Sequence, residues 1–122
     1  MSRIERDEER EERIYNEAMV DAYGAEEQAM GWYYYLTDAI TFPFQARCIQ
    51  ETRKSPLKRD EVVTVIDMIS DDDSYEMLAE IELMGRTMGV PLHQLEPLDV
   101  DEETRRVIED WHYWIARGYQ FG

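Results

Sequence analysis

The hydrophobic period of the chain changes at Pro43 and changes back near Asp101, and this switch limits the fold more than any single motif. Before Pro43, apolar residues recur at helical spacing. Ile14, Tyr15, Ala18, Met19 and Ala22 form one stripe, and Ala29, Trp32, Tyr33, Leu36 and Ile40 form a second. Gly24 separates the stripes as a helix stop and Pro43 closes the second, so the pattern predicts an antiparallel helical hairpin over residues 1–42. Ahead of Ile14 nearly every residue is charged. Glu9 and Arg13 stand at i and i+4, and this part is expected to project into water.

From residue 43 to residue 100 the period falls to two. FQARCI, EVVTVIDMI, YEMLAEIELM and RTMGVP read as short strands between turn-rich stretches. In the third, Met77, Ala79, Ile81 and Leu83 face a core while Glu76, Glu80 and Glu82 face water, and Gly85 falls where a hairpin turn is needed. Closing so few strands without exposed edges favours a small barrel. The order of parts in MGRTMGVPLHQLEPLD resembles an SH3-like barrel: a turn glycine, a second glycine, a Val-Pro step, one turn of helix and a short last strand. Over residues 101–122, Asp101 caps a helix with Glu102 and Glu103 in its first turn. Val107, Trp111, Trp114 and Ile115 share one face, read as core packing, before Gly118. The expected class is α+β in one domain, residues 1–122: helical hairpin, SH3-like β-barrel, C-terminal helix.

Charge narrows the function. The chain of 122 residues carries 28 acidic and 13 basic residues, a formal charge of −15, which argues against nucleic acid or an anionic membrane as partner. Cations or basic proteins are the natural counter-charges. No apolar run approaches the roughly 20 residues of a membrane span and the N-terminus has no signal-like apolar core, so a cytoplasmic protein is expected. The single cysteine, Cys48, reads as a small buried strand residue. His93 and His112 read as packed or half-exposed side chains. With no nucleophile and base in register, no glycine-rich phosphate loop and no HExxH, the chain is not expected to be an enzyme.

Clustered carboxylates point elsewhere, because calcium takes six to eight oxygen ligands and tolerates irregular geometry. Three neighbourhoods qualify. In SDDDSYE, Asp71, Asp72 and Asp73 occupy a loop between strands with Glu76 just beyond; Tyr75 replaces a ligand and the required glycine is absent, so this is not an EF-hand. On the far face of the second helix, Glu27, Gly31, Tyr34, Tyr35 and Asp38 line up. A helical glycine costs roughly 1 kcal/mol relative to alanine, so Gly31 predicts a close approach by another segment. The tyrosines would lower the dielectric around Asp38 and strengthen its pull on a cation. Finally, Glu17 and Asp21 stand at i and i+4, within reach of Glu26 and Glu27, in a repulsion that a bound cation would relieve. Acids from the hairpin and the barrel are expected to meet at their junction, so that calcium tightens the fold.

The strings IERDEEREERIYNE, VDAYG followed by EEQA, GWYYYL, FPF, SPL, VPL with QL after it, and EDWHYW resemble the CcbP family of cyanobacterial and other bacterial calcium-binding proteins over nearly the whole chain. The resemblance implies a cytoplasmic, non-EF-hand Ca2+ binder acting as a buffer or sensor. It also implies that Asp38, directly after GWYYYL, is a ligand, with Thr37 standing where the family can place a second acid. The competing reading is an acidic SH3-like interaction module that binds a basic protein. The aromatic residues of a proline-peptide groove are missing from YEML and from the turn after Pro91.

Overall fold

The computed structural model describes residues 5–70 and 75–121. Helix α1 spans Glu8–Arg13. Asp7 caps it by accepting the backbone N–H of Arg10 at 3.0 Å, and Glu8 and Glu9 in the first turn complement the helix dipole. The helix continues with widened turns over Ile14–Ala18, stopping short of the expected Ala22. Gly24 stands at the N-cap of α2, Ala25–Ala39. Ala29, Trp32, Leu36 and Ile40 of the second stripe are buried, as are Ile14 and Ala18 of the first, whereas Tyr15 is 72% exposed.

The charged segment before Ile14 does not project freely into water. Arg10 Nη1 donates to Asp110 Oδ1 at 2.7 Å, and Arg13 reaches both oxygens of the same carboxylate at 2.6 and 2.9 Å. The expected Glu9–Arg13 pairing is therefore replaced. Asp110 is fully buried, and a carboxylate removed from water needs charged partners far more than an exposed Glu9 does. Its fourth hydrogen bond comes from the Tyr35 hydroxyl at 2.6 Å, so one side chain ties α1 and α2 to the C-terminal helix.

Five strands follow: β1 Phe44–Cys48, β2 Val62–Ser70, β3 Met77–Leu83, β4 Arg86–Pro91 and, after a short 3₁₀ turn at Leu92–Gln94, β5 Leu95–Leu98. All pairs are antiparallel in the order β4-β3-β2-β1-β5. Met84 and Gly85, with φ of 53° and 77°, form the two-residue hairpin turn between β3 and β4, the conformation that this tight connection requires. Met77, Ala79 and Ile81 are buried and Glu82 is exposed, as the alternation predicts. In β2 an irregularity between Val65 and Asp67 shifts the register by one residue, which lets Val63, Val65 and then Met68 all face inward. Cys48 ends β1 fully buried.

The sheet is not closed, and here the barrel expectation fails. β4 and β5 remain its two edges. A four-residue last strand containing Pro97, which has no N–H to donate, reaches only β1; the edge is blunted by shortness and proline instead of by closure.

Helix α3, Glu102–Ala116, is capped by Asp101, whose carboxylate accepts the Thr104 backbone N–H and hydroxyl at 3.1 and 2.6 Å. Gly118, with φ of 83°, takes the left-handed conformation just past its end. Trp32 of α2 meets Trp111 edge-on at 5.0 Å between ring centroids, and Trp111 stacks on Trp114 at 5.4 Å, so the aromatic stripe of α3 is core. Among the described residues no helix is long and apolar enough to cross a membrane.

Candidate metal site

Two contacts between helices create the site. A Cβ at Gly31 would run into the carbonyl oxygen of Ala18, so the expected close approach is real and the approaching segment is the end of the first helix. Thr104 Oγ accepts the backbone N–H of Thr41 at 3.0 Å, which fixes the start of α3 beside the end of α2. Between the three helices lies a cavity of about 400 Å³. Glu17 and Val20 line it from the first helix and the turn after it, Tyr34 and Asp38 from α2, and Glu103 and Arg106 from α3.

Of the seven carboxylates singled out from the sequence, Glu17 and Asp38 meet in this cavity. Asp21 does not line it. The helix ends at Ala18 and Asp21 has φ of 55°, so the helical i, i+4 relationship to Glu17 never forms; aspartate is one of the few residues that tolerates this backbone. Glu76 lies elsewhere, with Oε2 2.9 Å from Lys54 Nζ in a second cavity lined by Tyr75, Trp111 and Trp114. Asp71, Asp72 and Asp73 lie outside the described residues. Among the described residues, the third carboxylate lining this cavity comes from the C-terminal helix and none comes from the strands.

Glu103 and Arg106 had no signal of their own in the sequence. Glu103 reads as an ordinary first-turn acid favoured by the helix dipole. The packing of α3 on α2, including the Thr41–Thr104 bond, brings it towards Asp38, more than sixty residues away in sequence.

The donors are all hard oxygens, which suits Ca2+ and disfavours metals that prefer nitrogen or sulfur. Glu17, Asp38 and Glu103 are exposed enough to be hydrated before an ion arrives. Among the described residues no three His, Cys, Asp or Glu side chains are already gathered at coordination distance. The residues fit an oxygen-donor cation as an open, acid-lined cavity in which Glu17, Asp38 and Glu103 are the side chains that would hold it. Among the described residues, Arg106 is the one positive side chain in the lining.

Tyr35 faces the cavity wall, but its hydroxyl serves Asp110. Burial first, and then the hydrogen bond to that carboxylate, push the phenol well above its ordinary pKa, so it remains a neutral donor. On the other side of α3, the Tyr113 and Tyr119 hydroxyls each donate to Glu11 Oε2 at 2.6 Å. Burial would raise the Glu11 carboxyl; these two bonds, with Arg6 and Arg117, outweigh it and hold the group below its usual value.

The chain is a small α+β protein whose three helices line one cavity with carboxylates, the donor chemistry that hard cations take. The CcbP family model, described as calcium binding, matches residues 12–115, and the chain belongs to that family of calcium-binding proteins. The crystal structure of Anabaena CcbP is 43% identical with a TM-score of 0.85, covering 99% of this chain and 100% of that one. A calcium binding protein in the calcium-binding form is 42% identical with a TM-score of 0.84 and the same coverage. No curated protein matches the sequence.

Proposed function

We propose that the chain is a cytoplasmic, non-enzymatic, non-EF-hand calcium-binding protein that takes up Ca2+ in the three-helix cavity. The observation that carries this reading is the convergence of Glu17, Asp38 and Glu103 from three separate helices on one cavity, in a chain of the CcbP family. Tyr34 lines the same cavity as Asp38, its ring half exposed. The acidic run Asp71 to Asp73, with Glu76 nearby, is a second ligand group in this proposal and rests on its composition alone. Ion binding offsets repulsion among the three helices and so favours the folded arrangement.

Whether the protein buffers calcium or reports it depends on affinity. Open, hydrated carboxylates suit reversible uptake, which fits either role. Calorimetric titration with CaCl₂, with MgCl₂ run in parallel, is the test. Saturable heat from calcium with a much weaker magnesium response supports the reading, whereas identical weak responses to both ions at moderate salt would discard it in favour of diffuse ion attraction.

The competing reading, an SH3-like module for a basic partner, draws on the strand order and the helical turn between β4 and β5. The sequence of YEML and of the turn after Pro91 lacks the aromatics of a proline-peptide groove, and the acidic surface favours an ion or a basic segment equally.

A further inference from the structure

Among the described residues the large exposed apolar side chains are not scattered. Tyr15, Val20, Tyr23, Met30 and Tyr34 all belong to the first helix, the turn after it and α2, while only Val62 and Met84 stand elsewhere. Met30 and Tyr34 are one helical turn apart on α2 and are 50% and 54% exposed. Val20, 57% exposed, lines the same cavity as Tyr34 from the facing segment, with Gly31 packed against Ala18 between them. Val20 and Tyr34 therefore leave apolar surface at the cavity, and Met30 extends it along the exposed face of α2.

Charge around it is predominantly negative, with Arg106 of α3 the positive side chain in the cavity's lining. From Ile14 to Phe42 the chain contains Glu17, Asp21, Glu26, Glu27 and Asp38 and no Lys, Arg or His. Exposed aromatic and methionine side chains within an acidic rim match a segment with apolar anchors and a basic flank. A second copy of this chain is a poor occupant, because two molecules each carrying −15 would bring acidic rims together.

We infer that the exposed apolar surface of Val20, Met30 and Tyr34 at the helical cavity is a docking surface for a basic amphipathic helix, and that calcium releases that helix. The second half rests on the calcium reading above: Glu17 and Asp38 would serve both as rim charges for the peptide and as ligands for the ion. Two cations competing for the same carboxylates are negatively linked, and the linkage is reciprocal. The protein then behaves as a sensor whose calcium-free form holds its partner.

The test uses the full chain and a fluorescently labelled synthetic 18-residue Lys/Leu amphipathic helix, read by anisotropy at moderate salt, with an oligolysine of equal charge as control. In EDTA the Lys/Leu peptide binds more tightly than oligolysine. The double variant Met30→Ser, Tyr34→Ser weakens it about tenfold or more, while Met84→Ser, at the far hairpin turn, changes nothing. Circular dichroism checks that the double variant is folded, and Tyr34→Phe, which keeps the apolar ring, retains binding. Equal affinity for both peptides, or indifference to the double variant, overturns the docking surface in favour of diffuse charge. Sedimentation that finds a dimer dispersed by the double variant also overturns it, assigning the apolar surface to a second copy. Calcium added to the preformed complex weakens the peptide. If calorimetry finds calcium bound while peptide affinity is unchanged, the linkage is wrong; if calorimetry finds no calcium bound, the calcium reading fails and the EDTA arm still decides the surface.

Discussion

The carbonyl oxygen of Ala18 occupies the space that a side chain at Gly31 would need. That contact sets the distance between the first helix and α2 and hence the width of the cavity holding Glu17 and Asp38. Gly31→Ala gains up to about 1 kcal/mol of helix propensity but forces backbone apart, at a cost of roughly 1–3 kcal/mol. The expected result is a net loss of stability in urea titration together with weaker calcium binding. A stabilised variant with unchanged affinity would mean that the helices separate without consequence for the site.

Asp38→Asn keeps the side chain's size and one oxygen and removes its charge. Calcium affinity measured by calorimetry is expected to fall about tenfold or more, since a carboxylate ligand is lost. Glu103→Gln is expected to lower it as well, whereas Glu8→Gln in the exposed first turn of α1 leaves it within twofold at moderate salt. Parental affinity in Asp38→Asn and Glu103→Gln alike would place the ion elsewhere, with the acidic run Asp71 to Asp73 as the next place to look.

On the proposed reading, Arg106 lines the cavity beside the carboxylates that would hold the ion. Replacing it with Gln should tighten calcium binding several-fold and steepen the dependence on salt, because the cavity loses its resident positive charge. Weaker binding in Arg106→Gln would identify the arginine as a scaffold for the acids.

Asp110 joins Arg10, Arg13 and Tyr35 with its side chain fully out of solvent. Asp110→Asn leaves two guanidinium groups without their carboxylate. A loss of about 3 kcal/mol is expected, at the low end for a broken buried pair because both arginines retain some solvent contact. Denaturant unfolding measures it, and a change below about 1 kcal/mol would mean that the arginines find water at no cost.

Burial, chiefly, holds the imidazoles of His112 and His93 below the usual 6.5. For His112 the Leu95 backbone, Glu109 and Glu96 oppose the shift and His93 adds to it; for His93, Glu76 opposes and Lys54 adds. The unfolded chain therefore binds more protons than the native one once the pH drops below that value. Stability is complete above pH 6.5 and is lost as the pH falls through the depressed native pKa values. The melting temperature should decline as the pH is lowered below about 6.5, and His112→Gln should flatten the decline. A flat profile in the parent protein would show that both rings titrate as they do in the unfolded chain.

Local pattern was enough for most of the elements. The stripe from Ala29 to Ile40, the alternation from Met77 to Ile81, the turn at Gly85 and the Asp101 cap are each decided by neighbours in the chain, where backbone propensity and side-chain period act directly. Family strings and the excess of carboxylates made calcium legible, and Gly31 announced a close approach without naming what approaches. The remaining features depend on residues distant in sequence. Arg10 and Arg13 look like exposed charges until Asp110, about a hundred residues later, is buried beneath them. Whether β4 and β5 meet depends on how far a short, proline-containing strand can pair, and they do not. Glu103 joins Glu17 and Asp38 because α3 packs on α2, with Thr41 bonded to Thr104. Coulombic and hydrogen-bonding partners are chosen by three-dimensional proximity and by the cost of burying an unmatched charge, neither of which leaves a period in the sequence.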